Sequence, residues 1–413
     1  MLEDFLKVPT AVRRLRSCVV AAHLDTFCAR LADRGYQRAT IRHKLWIVTG
    51  LMRWMADEHV AVADLDERCV DEFVDARQRG GRTCRGVRRT VVLLLEQLRS
   101  EGVIATPEPA HDDSPTVALM ARYEEHLRRE RALVQVTIAG YLPFGRAFVA
   151  ERLDGDAART NTLRPGDVRD FLLARVRHMA PRRAQYMATA LRSFLRFLFL
   201  RGETGTDLAL AIPTVRQWRL SSVPRHLPAR DVERLLRACD LSSATGCRDH
   251  AVLLLLARLG LRASEVLALE LGDLRWREAE IIVRGKGLVR DRLPLVADVG
   301  EALSLYLRDR PPGSSRRVFL CRRAPHRGFG HPSTVSTIVM RALARAGLAP
   351  PTRGAHLLRH SLATAMVRRG ASLAEIGQVL RHRSPNTTEI YAKLDFDALR
   401  DVAMPWPTTR GAR

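Results

Sequence analysis

Between residues 262 and 391, six side chains have the types and the spacing that phosphodiester chemistry requires. They are Arg262 in Gly-Leu-Arg-Ala-Ser-Glu, Lys286 in Gly-Lys-Gly, His356 and Arg359 in His-Leu-Leu-Arg-His, His382 in Arg-His-Arg-Ser, and Tyr391 in Thr-Thr-Glu-Ile-Tyr. Attack on a phosphodiester meets a phosphorus that is already anionic and passes through a crowded species with more charge on its non-bridging oxygens. Catalysis is therefore mainly positioning and charge stabilisation. A guanidinium suits this because it is always charged and its planar fork matches two phosphate oxygens. Arg262 and Arg359 are the candidate pair. His356 and Arg359 stand three apart, share a helix face and can point at one phosphate.

Of 68 basic residues only four are lysines, at positions 7, 44, 286 and 393. Arginine cannot release a proton near neutral pH, whereas Lys286 beside a phosphate can act as general acid to the departing 5′ oxygen. A phenol, with a pKa of about 10, is a poor nucleophile until its proton is accepted and its target activated. His356 would share base and donor work for Tyr391, and His382 would donate to a non-bridging oxygen. The polar Thr387-Thr388-Glu389 turn ahead of Tyr391 predicts an accessible hydroxyl. Each piece alone has a plainer reading: a surface arginine, a solvated lysine at a hairpin tip, a half-buried packing tyrosine. Order and spacing together carry the chemistry. His360, adjacent to Arg359, reads as core or as support behind the site, and Glu265, one helical turn after Arg262, as a capping or surface carboxylate.

These side chains need elements to hold them. Residues 227–236 read as a Pro-led amphipathic helix, and 251–259 as a buried helix stopped by Gly260. The period then changes: 280–283 and 288–295 flank Gly285-Lys286-Gly287 as a hairpin. Helices return afterwards, one opened by the capping box Ser372 to Glu375 and another by Ser384-Pro385. Two Pro-rich stretches, 104–116 and 212–228, divide the chain into 1–106, 114–215 and 225–405. The fold class expected is mainly α with a small β-hairpin sheet in the last segment, an α+β arrangement preceded by helical bundles.

The first two segments look like versions of one unit. Thr40, Ile41 and Leu45 match Thr137, Ile138 and Leu142 at an offset of 97; Val70 and Phe73 match Val168 and Phe171 at 98; Leu95, Leu98 and Gly102 match Leu195, Leu198 and Gly202 at 100. Such drift is what changes in loop length produce, so an internal duplication of about four helices is expected. Leu191, Phe194, Leu195 and Leu198 show the helical spacing of a core stripe.

A length of 413 residues suits two or three cores. The net charge of +23 points to a polyanion, since each neutralised phosphate releases condensed counterions. Residues 1–113 hold 18 basic and 17 acidic side chains, net +1; 114–224 hold 18 and 10, net +8; 225–413 hold 32 and 18, net +14. A nucleic-acid surface is thus expected in the last two segments. With 6% aromatic residues and no stacking motif, RNA is the weaker reading. The seven cysteines form no Cys-x-x-Cys pair, which argues against a disulfide framework and a zinc site, and no metal or cofactor is implied. No apolar run reaches the ~18 residues that span a bilayer, and the first residues lack a basic start followed by an apolar stretch. A cytoplasmic, soluble protein without a membrane partner is expected.

The run of motifs resembles the catalytic domain of the tyrosine recombinases, also called the phage integrase family, most strongly over 250–392. The resemblance implies that Arg262, Lys286, His356, Arg359, His382 and Tyr391 form one active site. Attack by Tyr391 would leave a 3′-phosphotyrosyl link and a free 5′ hydroxyl, and because the bond energy is kept, strands can be rejoined without ATP or metal. It implies that Glu265 is a buried partner orienting an active-site arginine, that 114–215 is a core-binding bundle gripping the duplex, and that 1–106 is an extra N-terminal domain. Implied partners are double-stranded DNA with inverted half-sites and a tetramer of this chain, or of related recombinase subunits, exchanging strands through a Holliday junction. Leu394, Phe396, Leu399 and Val402 would dock on a neighbouring subunit or pack in cis. Arg381 departs from the pattern, standing where many members have Gly before the histidine. A type IB topoisomerase and a catalytically silent DNA-binding regulator are the alternatives. The duplicated unit favours an enzyme of a mobile element over a housekeeping resolvase.

Overall fold

The computed structural model describes residues 2–6, 8–81, 86–106, 114–214, 223–285, 290–312 and 315–394. Lys286, the middle of both Pro-rich stretches, and residues 395–413 with Phe396, Leu399 and Val402 lie outside the described residues. Residues 107–219 form one compact unit, and 1–106 with 220–413 a second.

In 1–106 the helices are α1 (Leu2–Phe5), α2 (Pro9–Arg16), α3 (Ala21–Asp33), α4 (Arg38–Asp57), α5 (Glu67–Arg79) and α6 (Val87–Ser100). The Asp66 carboxylate starts α5 by accepting from the Cys69 N–H at 2.8 Å, satisfying a donor that the first turn leaves without a partner. Ile41, Leu45, Val48, Val70, Phe73, Val91, Leu94 and Leu98 are buried on one core of their own.

In 107–219 the helices are α7 (Pro115–Glu125), α8 (Gln135–Arg152), α9 (Pro165–Val176) and α10 (Pro181–Leu200). Three of them begin with a proline in the first turn, where its missing N–H costs nothing. Tyr123 packs on Phe194 and Phe197 with ring centroids 5.0 and 5.2 Å apart, and Phe148 meets Phe171 at 5.2 Å. These edge and tilted geometries suit aromatic quadrupoles.

The matches between the two segments fall on corresponding helices: α4 with α8, α5 with α9, α6 with α10. All the matched apolar positions are buried. Gly102 and Gly202, each just beyond its helix, both take the left-handed conformation, with φ of 72° and 71°. A shared helix order, shared buried positions and a shared helix-stop geometry are what an internal duplication leaves behind.

Residues 223–394 hold α11 (Ala229–Arg237), α12 (Ala244–Arg258), α13 (Ala263–Ala268), β1 (Leu274–Arg275), β2 (Glu280–Arg284), β3 (Arg290–Pro294), α14 (Ala297–Arg308), α15 (Ser333–Arg345), α16 (His356–Val367) and α17 (Leu373–Val379). Short 3-10 turns, Pro385–Thr387 and Glu389–Leu394, follow. Helix α12 starts well before the apolar run at 251 because Ser243 caps it, accepting from the Gly246 N–H at 3.1 Å. Residues 251–257 are buried all round, as befits a helix packed by α14, α15 and α16. The sheet is antiparallel in the order β1-β2-β3, with Ile281 opposite Leu274 and Leu293, and Arg284 opposite Arg290. Strand β1, two residues long, is too short to show alternation in the sequence. A satellite core of Ala363, Val367, Ile376, Leu380, Tyr391 and Leu394 closes the end of the described chain.

Candidate active site

The site is built where three turns meet: the one after α12, the one after α17, and the start of α16. Gly260 ends α12 with φ of +58°, and a Cβ there would stand 2.7 Å from the Leu380 Cδ2, so the close approach of these turns needs glycine. Two residues later Arg262 caps α13. Its backbone N–H donates to the Glu265 Oε2 at 2.8 Å and its guanidinium to Oε1 at 2.7 Å. Glu265 is 3% exposed, and its second guanidinium partner is Arg381, whose Nη2 donates to Oε2 at 2.9 Å. Burial alone would raise the Glu265 pKa. The Arg262 N–H, the Arg381 charge and the Arg262 guanidinium outweigh it, and the carboxyl titrates below its ordinary value.

Arg359 lies on α16, buried at 4% exposure, and donates to the backbone carbonyls of Gly260 and Leu380, one on each facing turn. Burial, reinforced by the charges of Arg262 and Arg381, lowers its pKa to about 10. Arg262 and Arg381 thus share one buried carboxylate while Arg359 adds a third guanidinium beside them, leaving an excess of positive charge that a phosphodiester anion would complement. His356 is exposed at the first turn of the same helix, so the i,i+3 pair divides its labour: Arg359 points inward and His356 toward solvent.

Tyr391 overturns the accessibility expected of it. Its ring is 1% exposed because it is a member of the satellite core, and the polar turn before it does not lift it out. Its hydroxyl lies 2.7 Å from the His360 Nδ1. Burial raises the phenol pKa to about 12, with the Arg359 charge pulling the other way. Burial, then the charges of His356, Arg359 and His226, lowers His360 to about 4, so its ring is neutral at pH 7. His356 sits with its ring centroid 6.4 Å from that of His360. The imidazole against the nucleophile candidate is therefore that of His360, which the sequence placed only behind the site. A hint was available: His360 follows His356 by one full helical turn, the spacing of side chains stacked on one face.

The His382 Nδ1 lies 2.8 Å from the hydroxyl of buried Thr388, and its backbone N–H donates to the Gly377 carbonyl at 2.8 Å. Burial first, then Arg359, Arg262 and Arg381, lowers its pKa to about 4. With Nδ1 accepting from Thr388, the neutral ring would carry its hydrogen on Nε2 and leave that atom to donate. Among the described residues no group of three or more His, Cys, Asp or Glu side chains is placed to hold a metal ion, and no helix is long and apolar enough to cross a membrane.

Replacing Glu265 by Gln removes the one carboxylate that two guanidinium groups share, and unfolding is expected to cost about 3 kcal/mol less, since breaking a buried ion pair strands the remaining charge. The denaturant midpoint at an unchanged slope measures it. Because the folded pKa of Glu265 is depressed, its contribution is full above pH 4.5 and is lost as pH falls through the folded value. Glu265→Gln lacks that acid-sensitive component.

The phage integrase family profile matches residues 225–397. A Sinorhizobium fredii protein named as an integrase/recombinase, y4rA, is 44% identical over 408 residues, covering 98% of this chain and 99% of its own. The tyrosine recombinase XerD of Listeria innocua is 32% identical over 259 residues, 60% of this chain and 85% of that protein. Two solved structures share the fold. XerH site-specific recombinase bound to palindromic difH substrate gives a TM-score of 0.53 at 19% identity, over 72% of this chain and 98% of that one. A lambda integrase dimer bound to a COC′ core site gives 0.52 at 18% identity, over 71% and 99%. With a relative 44% identical along nearly its whole length, and the arginine, histidine and tyrosine motifs gathered on the region matched by the family profile, the chain belongs to the tyrosine recombinases of the phage integrase family, enzymes that cleave and rejoin DNA.

Proposed function

We propose that this chain exchanges strands between specific sites in double-stranded DNA through a 3′-phosphotyrosyl intermediate and a Holliday junction, in the cytoplasm and in the service of a mobile element. The observation that carries the reading is the Tyr391 hydroxyl held on a neutral imidazole, within reach of the Arg359 charge and next to a cluster of three guanidiniums with one carboxylate. Arg262 and Arg359 bind the non-bridging oxygens, and the His382 Nε2 donates to one of them. The Tyr391 oxygen bonds to phosphorus as its proton passes to the His360 Nδ1. The phosphorus to 5′ oxygen bond breaks, and that oxygen takes a proton from Lys286 and leaves as a hydroxyl. Rejoining runs the same steps backward.

At a pKa of about 4, His360 is too weak a base to ionise a phenol at about 12 in the resting protein. Proton transfer waits for the phosphate, whose charge raises the imidazole pKa and stabilises the product of attack. The buried ring must also leave the satellite core to meet DNA, at a cost of about 2 kcal/mol for an aromatic side chain of this size. Segments 1–106, 114–215 and 225–405 act as three domains, and the net charges of +6 and +12 on the last two support a grip on the duplex by the second and chemistry by the third. Inverted half-sites and a tetramer follow from pairing two duplexes, each bound by two protomers. The DNA-bound XerH and the DNA-bound lambda integrase dimer support a DNA partner and assembly on it.

Retention of DNA on the protein after SDS, from a genomic fragment library, tests the reading. Trapped fragments sharing one sequence with inverted repeats are the expected result. Relaxation of any supercoiled plasmid by single protomers would indicate a topoisomerase, and binding without retention a regulator.

A further inference from the structure

We infer that Arg381 is a positioning residue for strand cleavage, acting through Glu265 on Arg262. The inference deepens the proposed reaction and rests on it. Arg381 has φ of +55°, a left-handed conformation that side chains bearing a Cβ rarely adopt and that glycine takes freely. An arginine at such a position carries a backbone cost that glycine would not. The Arg381 side chain is 6% exposed and reaches back across the turn: Nη1 donates to the carbonyls of Leu259 at 3.3 Å and Val379 at 3.2 Å, and Nη2 to the carbonyl of Gly260 at 3.5 Å and to the Glu265 Oε2 at 2.9 Å. Its Nε is buried without a hydrogen-bond partner, and the Asp291 Oδ2 on β3 stands 4.0 Å from it.

Three consequences follow from that geometry. The Glu265 Oε2 receives both the Arg262 backbone N–H and Arg381, so Arg381 fixes the carboxylate that in turn orients the Arg262 guanidinium. The contact is direct and buried, whereas Arg262 itself is one-third exposed and free to meet a phosphate. Arg381 and Arg359 both donate to the Gly260 carbonyl, so the two turns that carry Arg262 and His382 are tied together twice. Arg381 thereby holds the phosphate-binding fork in place and need not touch the phosphate.

The test compares the full-length protein with Arg381→Gly and Arg381→Lys. Glycine suits the backbone there, so far-UV circular dichroism and a thermal melt will show the Gly variant folded. Two readouts are used. One is the rate of covalent adduct formation on DNA trapped by the unaltered protein, with binding measured alongside. The other, independent of activity, is the pH titration of the Glu265 carboxyl followed by 13C NMR, its signal assigned by its disappearance in Glu265→Gln. Expected are an adduct rate about tenfold or more lower in the Gly variant, the usual size of losing a group that orients an active-site side chain, with DNA affinity within about twofold. The Glu265 titration should move upward in the Gly variant and return part of the way in the Lys variant. An unchanged Glu265 titration overturns the inference, as does an adduct rate in Arg381→Gly within about twofold of the unaltered protein. If the unaltered protein forms no adduct at all, the proposed reaction fails, and the titration still decides whether Arg381 fixes Glu265.

Discussion

Tyr391→Phe abolishes the SDS-resistant adduct and leaves DNA affinity unchanged. The phenol oxygen is the only atom removed, and the ring that fills the satellite core beside Ile376 and Leu380 remains. Losing a hydroxyl that hydrogen-bonds a half-buried imidazole costs about 1 kcal/mol of stability, well within what a folded domain tolerates. The loss in cleavage rate is on the order of 10³-fold or more, because no neighbour can supply the attacking oxygen with the same reach. Gel retention of labelled DNA with and without SDS separates the two effects. Persistent adduct in Tyr391→Phe would move the nucleophile elsewhere in the chain.

Arg359→Ala produces a double effect, on stability and on chemistry. The buried guanidinium is the partner of the Gly260 and Leu380 carbonyls, and removing it strands that of Leu380 at about 1–3 kcal/mol and leaves that of Gly260 with the longer contact from Arg381. It also removes the charge that acts on Tyr391 and leaves the phosphate one fork short. Cleavage is expected to fall by about 10² to 10³, the size of losing one preorganised donor to a developing anion. A denaturant melt measures the first effect, and single-turnover adduct formation at a temperature where the variant is folded measures the second. Arg359→Lys restores charge without the two-pronged geometry and recovers little of either. A variant as stable and as active as the unaltered protein would show that these hydrogen bonds are incidental.

What local patterns can carry was legible from residue order alone. Helical spacing at i, i+3 and i+4 locates α10 and the start of α16. The Ser372 to Glu375 capping box predicts α17, and the structure contains both of its hydrogen bonds. The internal matches, which need no tertiary information, pair α4 to α6 with α8 to α10. Where a cap outweighs hydropathy, as Ser243 does at the start of α12, the apolar run understates the helix.

The arrangement of the site divides along the same line. Residue types and their order pointed to the proposed chemistry: an arginine, a lysine, a histidine-arginine pair, a second histidine and a tyrosine at these spacings suit phosphodiester attack. Tertiary packing decided how those groups rest. The burial of Tyr391 depends on a core assembled from α16, α17 and the turn after them, and its hydrogen bond to His360 joins residues 31 apart. The meeting of Glu265 with Arg381 spans 116 residues. Hydrophobic periodicity reports only on neighbours within a turn or two of helix. Contacts made by chain closure over tens of residues leave no such mark, so their partners emerge only when the turns at Gly260 and Leu380 are brought together.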